Sequence, residues 1–174
     1  MDITQLILDD HAQIRRLFAQ IDEIDRSEKD TLASLWARLG TFLDTHAEAE
    51  ERFFYPTLLK IGRGAADADD ARDETKDAIK DHNEIRDAVA EVANHKVGSK
   101  GWIDAVGKAN EVNGDHLAEE ERQGLSDFRQ NADLDLSHKL ALQFARFEAD
   151  YLTGDGVEAS DEDPEEYVKA HEKA

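Results

Sequence analysis

Four of the chain's seven histidines, His11, His46, His82 and His116, are separated by 35, 36 and 34 residues. Imidazole nitrogens hold cations, share hydrogen bonds or move protons, and regular spacing becomes informative when it brings several rings together. In an up-and-down bundle, residues on consecutive antiparallel helices lie at one height when they are equally far from the connecting loop. The midpoints between successive histidines fall at Glu28 to Lys29, at Gly64 and at Ser99, each in or beside a break in the apolar periodicity. The spacing therefore predicts one layer of four imidazoles, one from each helix. At about 100° per residue, His11 shares its side with Ile7, Ile14 and Phe18, and the other three also point toward apolar stripes.

Two carboxylates complete the layer. His46-Ala47-Glu48-Ala49-Glu50 and His116-Leu117-Ala118-Glu119-Glu120 both read His-x-x-x-Glu. Glu50 and Glu120 lie about 40° around the helix from their histidines, with Glu119 as the rival to Glu120, while Glu48, Glu51 and Glu121 are turned about 140–160° away and are expected to face solvent. Inward ionised carboxylates are costly unless paired or metal-bound. His11, His46, Glu50, His82, His116 and Glu120 are thus the candidate ligands of two divalent cations. There is no cysteine, so thiolate zinc sites, iron–sulfur clusters and cysteine nucleophiles are excluded. Nitrogen and oxygen donors with open positions favour iron, with manganese or zinc as substitutes.

The neighbouring groups read more plainly. Asp10, Asp81 and Asp115 directly precede three of the candidate histidines, but one residue is about 100° of rotation, so solvated charge is expected rather than a role in orienting the rings. Tyr55 could reach the metal pocket, but it reads first as an aromatic at the core edge. His95, His138 and His171 are expected to stay away from the centre.

The elements that must position these groups are helices. Only Pro56 and Pro164 interrupt stretches rich in Ala, Glu, Asp, Lys, Arg and Leu, with apolar residues returning every three or four positions. One helix is expected from Ile3 to about Ile24, a second from about Asp30 to Ile61 with a local bend at Pro56, and a third ending near Gly98. A fourth runs from about Ser99 toward Phe128, although Gly107, Gly114 and Gly124 weaken it and Asn113-Gly114 reads equally as a turn. A fifth, about Ser137 to Leu152, suits packing on the outside of the bundle. The expected fold is all-α: an up-and-down four-helix bundle over residues 1–130, an additional packing helix over 131–152, and a flexible acidic tail over 153–174 with one helical turn after Pro164.

Asp and Glu number 41 against 21 Lys and Arg, a formal charge of −20. Such a surface repels phosphate backbones and anionic lipid, so nucleic acid and membrane are poor partners. No stretch approaches the roughly 20 apolar residues of a membrane span, and a soluble cytoplasmic protein is expected.

The ordered set His11, His46-x-x-x-Glu50, His82 and His116-x-x-x-Glu120, followed in its first half by Phe54-Tyr55-Pro56, resembles the hemerythrin-like family, or HHE cation-binding domain, over roughly residues 1–130. The resemblance implies two irons with an oxo or hydroxo bridge, bridged also by the two glutamates. One iron would take His11 and His46 and the other His82 and His116. The oxygen-carrying members have a further histidine one turn from the third-helix ligand. Here Ala78 and Arg86 stand four residues before and after His82. That departure argues against reversible oxygen carriage and resembles the four-histidine members linked to peroxide, nitric oxide or iron handling. A redox-active di-iron protein reacting with oxygen, hydrogen peroxide or nitric oxide in oxidative or nitrosative stress, including catalase-like breakdown of peroxide, is the leading expectation. A non-enzymatic iron sensor, store or donor is the alternative, and a metal-free helical interaction module the third.

Overall fold

Asp2 caps the first helix by accepting from the Thr4 backbone N–H, and α1 then runs Ile3–Glu23. In the computed structural model, residues 1–66, 68, 70–152 and 156–172 are described, and their regular structure is helical throughout. The second long segment is α2 (Lys29–Ala49), a π-helical turn (Glu50–Phe54) and α3 (Tyr55–Ile61). Asp70 caps α4 (Ala71–Val92) and Ser99 caps α5 (Lys100–Arg122). These four segments form the expected bundle, and none of the described helices is long and apolar enough to cross a membrane.

The apolar stripes meet as two clusters. Ile14, Leu17, Leu32, Leu39 and Trp102 fill the end nearer the α1–α2 connection. Ile3, Ile7, Phe54, Leu58, Ile79 and Phe128 fill the other. The histidine layer lies between them, so it is walled above and below by close-packed hydrocarbon.

The structure departs from the sequence pattern in three places. α5 runs straight through Asn113-Gly114, because Asn113 is buried while a Cβ on Gly107 or Gly114 would meet nothing within 4 Å: these glycines face outward and interrupt no packing. The break comes instead at Gln123, after which α6 (Gly124–Asn131) turns away. The bend at Pro56 takes the form of a π turn upstream of it, with the Tyr55 N–H reaching the Glu50 carbonyl five residues back.

The third departure is at the carboxyl terminus. α7 (Leu134–Tyr151) packs on α1 and α2 as the additional helix. Beyond it, where a flexible acidic tail is expected, residues 156–172 include an ordered helix α8 (Pro164–His171), capped by Asp163 and docked on α3 and α4. Tyr167 and Val168 are buried there. Pro56 has no N–H to give the Glu51 carbonyl, and the Tyr167 hydroxyl donates to that oxygen in its place. Lys76–Glu165 and Arg72–Glu172 ion pairs and hydrogen bonds between Asn83 and Glu162 hold the flanks. The acidic residues of this segment therefore meet the cationic side of α4. Residues 153–155 and 173–174 of the expected tail lie outside the described residues.

Candidate metal centre

Each long segment brings one imidazole to the middle layer: His11 from α1, His46 from α2, His82 from α4 and His116 from α5. All four are at most 3% exposed, and Glu50 and Glu120 are 0% and 5% exposed beside them. Glu50 sits at the centre of the group. Its Oε1 is 3.1 Å from His46 Nε2 and 3.9 Å from His11 Nε2, and its Oε2 is 3.4 Å from His82 Nε2. Glu120 Oε2 is 3.1 Å from His11 Nε2, and the Nε2 atoms of His82 and His116 are 3.1 Å apart. All six predicted residues are thus brought together, while Glu119 stays at the partly exposed rim, where it accepts from Gln123. His95, His138 and His171 pair with Glu91, the amino terminus and the Tyr167 carbonyl instead.

The donor atoms form two overlapping groups, His11–His46–Glu50 and Glu50–His82–His116, each with ligand atoms within 4.8 Å of one another. Among the described residues, His11 Nε2, His46 Nε2, both Glu50 oxygens and Glu120 Oε2 are buried without a hydrogen-bond partner. Five orphaned polar atoms converging in one apolar-walled layer are what protein–protein hydrogen bonding leaves unexplained and cations explain. Electrostatics agree. Burial pushes the Glu50 carboxyl up, yet the His46 and His82 rings outweigh it and hold the carboxyl well below its usual range. Burial disfavours charged His82, but Glu50 and Glu51 raise its pKa to about 9, and Glu50 and Asp10 do the same for buried His46, which lies well above the ordinary histidine value. The carboxylates demand positive charge in the layer.

Sequence reasoning missed the outer partners. Glu51 and Glu121 were expected to face solvent, yet Glu51 Oε1 lies 2.8 Å from His82 Nδ1 and Glu121 Oε1 lies 2.9 Å from His11 Nδ1. Arg86 and Arg15 donate to those same oxygens at 2.7 Å. The residue after each inward glutamate points away from its own histidine but toward the ring of the adjacent helix. Asp10 and Asp81, expected as solvated charge, face His46 Nδ1 at 3.4 Å and His116 Nδ1 at 3.5 Å. With Nδ1 turned to a carboxylate, each ring directs its Nε2 inward, toward the centre of the layer. The signal was in the sequence as a repeat: Asp10-His11-x-x-Ile14-Arg15 matches Asp81-His82-x-x-Ile85-Arg86, and His46-x-x-x-Glu50-Glu51-Arg52 matches His116-x-x-x-Glu120-Glu121-Arg122.

Tyr55 is also not a core-edge residue. It is 1% exposed and its hydroxyl donates to Glu120 Oε1 at 2.5 Å. Burial, then the Glu120 and Glu50 charges, hold its pKa well above the usual phenol value, so it stays a donor. The π turn places it there, five residues after Glu50; Leu125 occupies the equivalent place after Glu120.

Comparison with known proteins agrees with this geometry. The fold matches the crystal structure of a hemerythrin HHE cation binding domain-containing protein from Mycobacterium kansasii, with a TM-score of 0.72 and 18% identity over 98% of this chain and 99% of that one. No curated protein matches the sequence. Residues 2–125 match the hemerythrin HHE cation binding domain, a stretch that contains all four layered histidines and both inward glutamates, and the chain belongs to that family.

Proposed function

We propose that the chain is a non-haem di-iron protein whose centre reacts with a small oxidant: oxygen, hydrogen peroxide or nitric oxide. His11 and His46 would hold one iron, His82 and His116 the other, and Glu50 and Glu120 would bridge them. The observation that carries the reading is the set of orphaned, buried donor atoms made only of imidazole nitrogen and carboxylate oxygen. Two irons, each changing by one electron, supply the two-electron steps that peroxide chemistry takes. In peroxide breakdown the books close without an outside reductant, since two peroxides yield two waters and one dioxygen.

The chain's own residues set the conditions. Glu51 and Glu121 would orient the His82 and His11 rings through Nδ1, with Asp10 and Asp81 facing the Nδ1 atoms of the other two; Tyr55 holds a proton at Glu120 Oε1. Ala78 stands one turn before His82, and no fifth imidazole fills that side. Elemental analysis with an ultraviolet-visible spectrum tests the reading. About two irons per chain with bands near 300–400 nm, bleached on reduction and restored by peroxide, are expected. A spectrum indifferent to all three oxidants would remove it and favour an iron store or donor, while zinc in place of iron after anaerobic iron reconstitution would leave the redox reading without its metal.

A further inference from the structure

Between α4, α5 and the start of α6 lies a narrow opening of about 10 Å³, room for about one water-sized species. Its lining runs from exposed to buried residues: Asp77 is exposed, Asp81 and Glu119 are half-buried, and Glu74, Tyr55, His116 and Glu120 are buried. Five carboxylates line it and no lysine or arginine does. The groove between α1 and α2 includes Arg38, and that between α1 and α5 includes Arg15.

A row of acids alone would be an ordinary solvated face on a chain of this charge. Two buried atoms make it more than that. Glu74 Oε2 and Glu120 Oε2 have no hydrogen-bond partner, and their residues are only 4% and 5% exposed. Glu74 is positioned by its other oxygen, which accepts from the Ala65 N–H. It therefore offers to the opening it lines a buried carboxylate oxygen without a hydrogen-bond partner, alongside the more exposed acids and the centre's own ligands. Hydrophobic walls on either side of a line of like charge focus the field along it and favour a cation moving inward.

We propose that this opening is the route by which a divalent cation reaches the centre, with Asp77 gathering it at the surface and Glu74 serving as a transient ligand on the way. The inference rests on the metal-binding reading above and adds to it the direction of loading. It applies to a catalyst and to an iron store alike.

Anaerobic stopped-flow loading of the metal-stripped full chain with Fe²⁺, and with Co²⁺ as a coloured probe, tests it. In the Asp77→Asn/Glu74→Gln double variant the loading rate should fall about tenfold at low salt, with the final metal content and spectrum unchanged. Asp77→Asn alone, a surface change that leaves the core intact, should account for part of that loss. The charge-matched control Glu23→Gln/Glu28→Gln, at the opposite end of the bundle, should load at close to the wild-type rate. Wild-type loading in the double variant, or an equal slowing in the control, would overturn the route and leave the centre standing. Failure of the wild-type chain to bind either cation would instead overturn the metal reading on which the route depends.

Discussion

His82 and His11 are served by the same device, a glutamate that accepts at Nδ1 and an arginine from the next turn that steadies the glutamate. The two copies differ in how much water they meet. Side chains of Glu51 and Arg86 are 5% and 10% exposed, whereas those of Glu121 and Arg15 are 30% and 45% exposed. The difference comes from elements outside the repeat. α8 lies over the first copy and donates from Tyr167 to the Glu51 carbonyl, and the π turn adds Tyr55 beside Glu50. One local pattern thus gives two environments, and charge-assisted hydrogen bonds gain strength where water is kept away. His82 should be held more rigidly than His11, and a metal ion bound at His82 should be held more tightly than one at His11.

The comparison breaks first at the residue the two halves share. Glu50 is within 4 Å of imidazole nitrogens from three helices. If the proposed di-iron centre is right, Glu50→Gln removes its central charge, so iron should fall from about two per chain to below one on elemental analysis. Retention of both irons would deny Glu50 its bridging place. A smaller effect should separate the copies. Glu51→Gln is expected to weaken metal affinity by about 10–100-fold, the usual cost of losing a ligand's outer partner. Glu121→Gln, whose partner Arg15 is solvated, should cost less than about fivefold. Competition titration with a chromophoric chelator measures both, and equal losses would mean that cover by α8 does not matter.

The layer itself was legible because helical periodicity and loop midpoints are local quantities, and four histidines tested them three times over. The outer partners were not, for a physical reason. Glu51 and Glu121 were judged by angle from their own histidines, but in a bundle a side chain turned away from one neighbour is turned toward another. Only the crossing of helices decides which. Tyr55 escaped because a regular helix puts it elsewhere; the π turn that redirects it arises from Pro56 and the Tyr167 hydroxyl, more than a hundred residues apart in sequence. The docked α8 was hidden by its acidity. Asp163-Pro164-Glu165-Glu166-Tyr167 starts a helix by its cap and proline, and its charges are matched by Arg72 and Lys76 on another element.

Glu50 and Glu74 form a second pair of opposites, both buried, one carboxyl held well below its usual range and the other pushed up to about 7. Near Glu50 the imidazoles outweigh burial. Near Glu74 burial dominates and Asp127 adds to it against one backbone N–H, so the pKa rises from 4.5 to about 7. A folded-state value above the unfolded one means that the folded chain keeps a proton that the unfolded chain has already lost between those values. The contribution to stability is therefore present at low pH and disappears as pH rises through about 7. Glu74→Gln cannot lose that proton. Its melting temperature should match wild type at about pH 4, below the unfolded value, and exceed it at pH 8.5 by about 3 °C. Taking the difference between the two proteins at each pH, at matched iron content, cancels the histidine titrations that both share. A constant difference across that range would mean that Glu74 ionises as freely as an exposed glutamate, and the contrast with Glu50 would vanish.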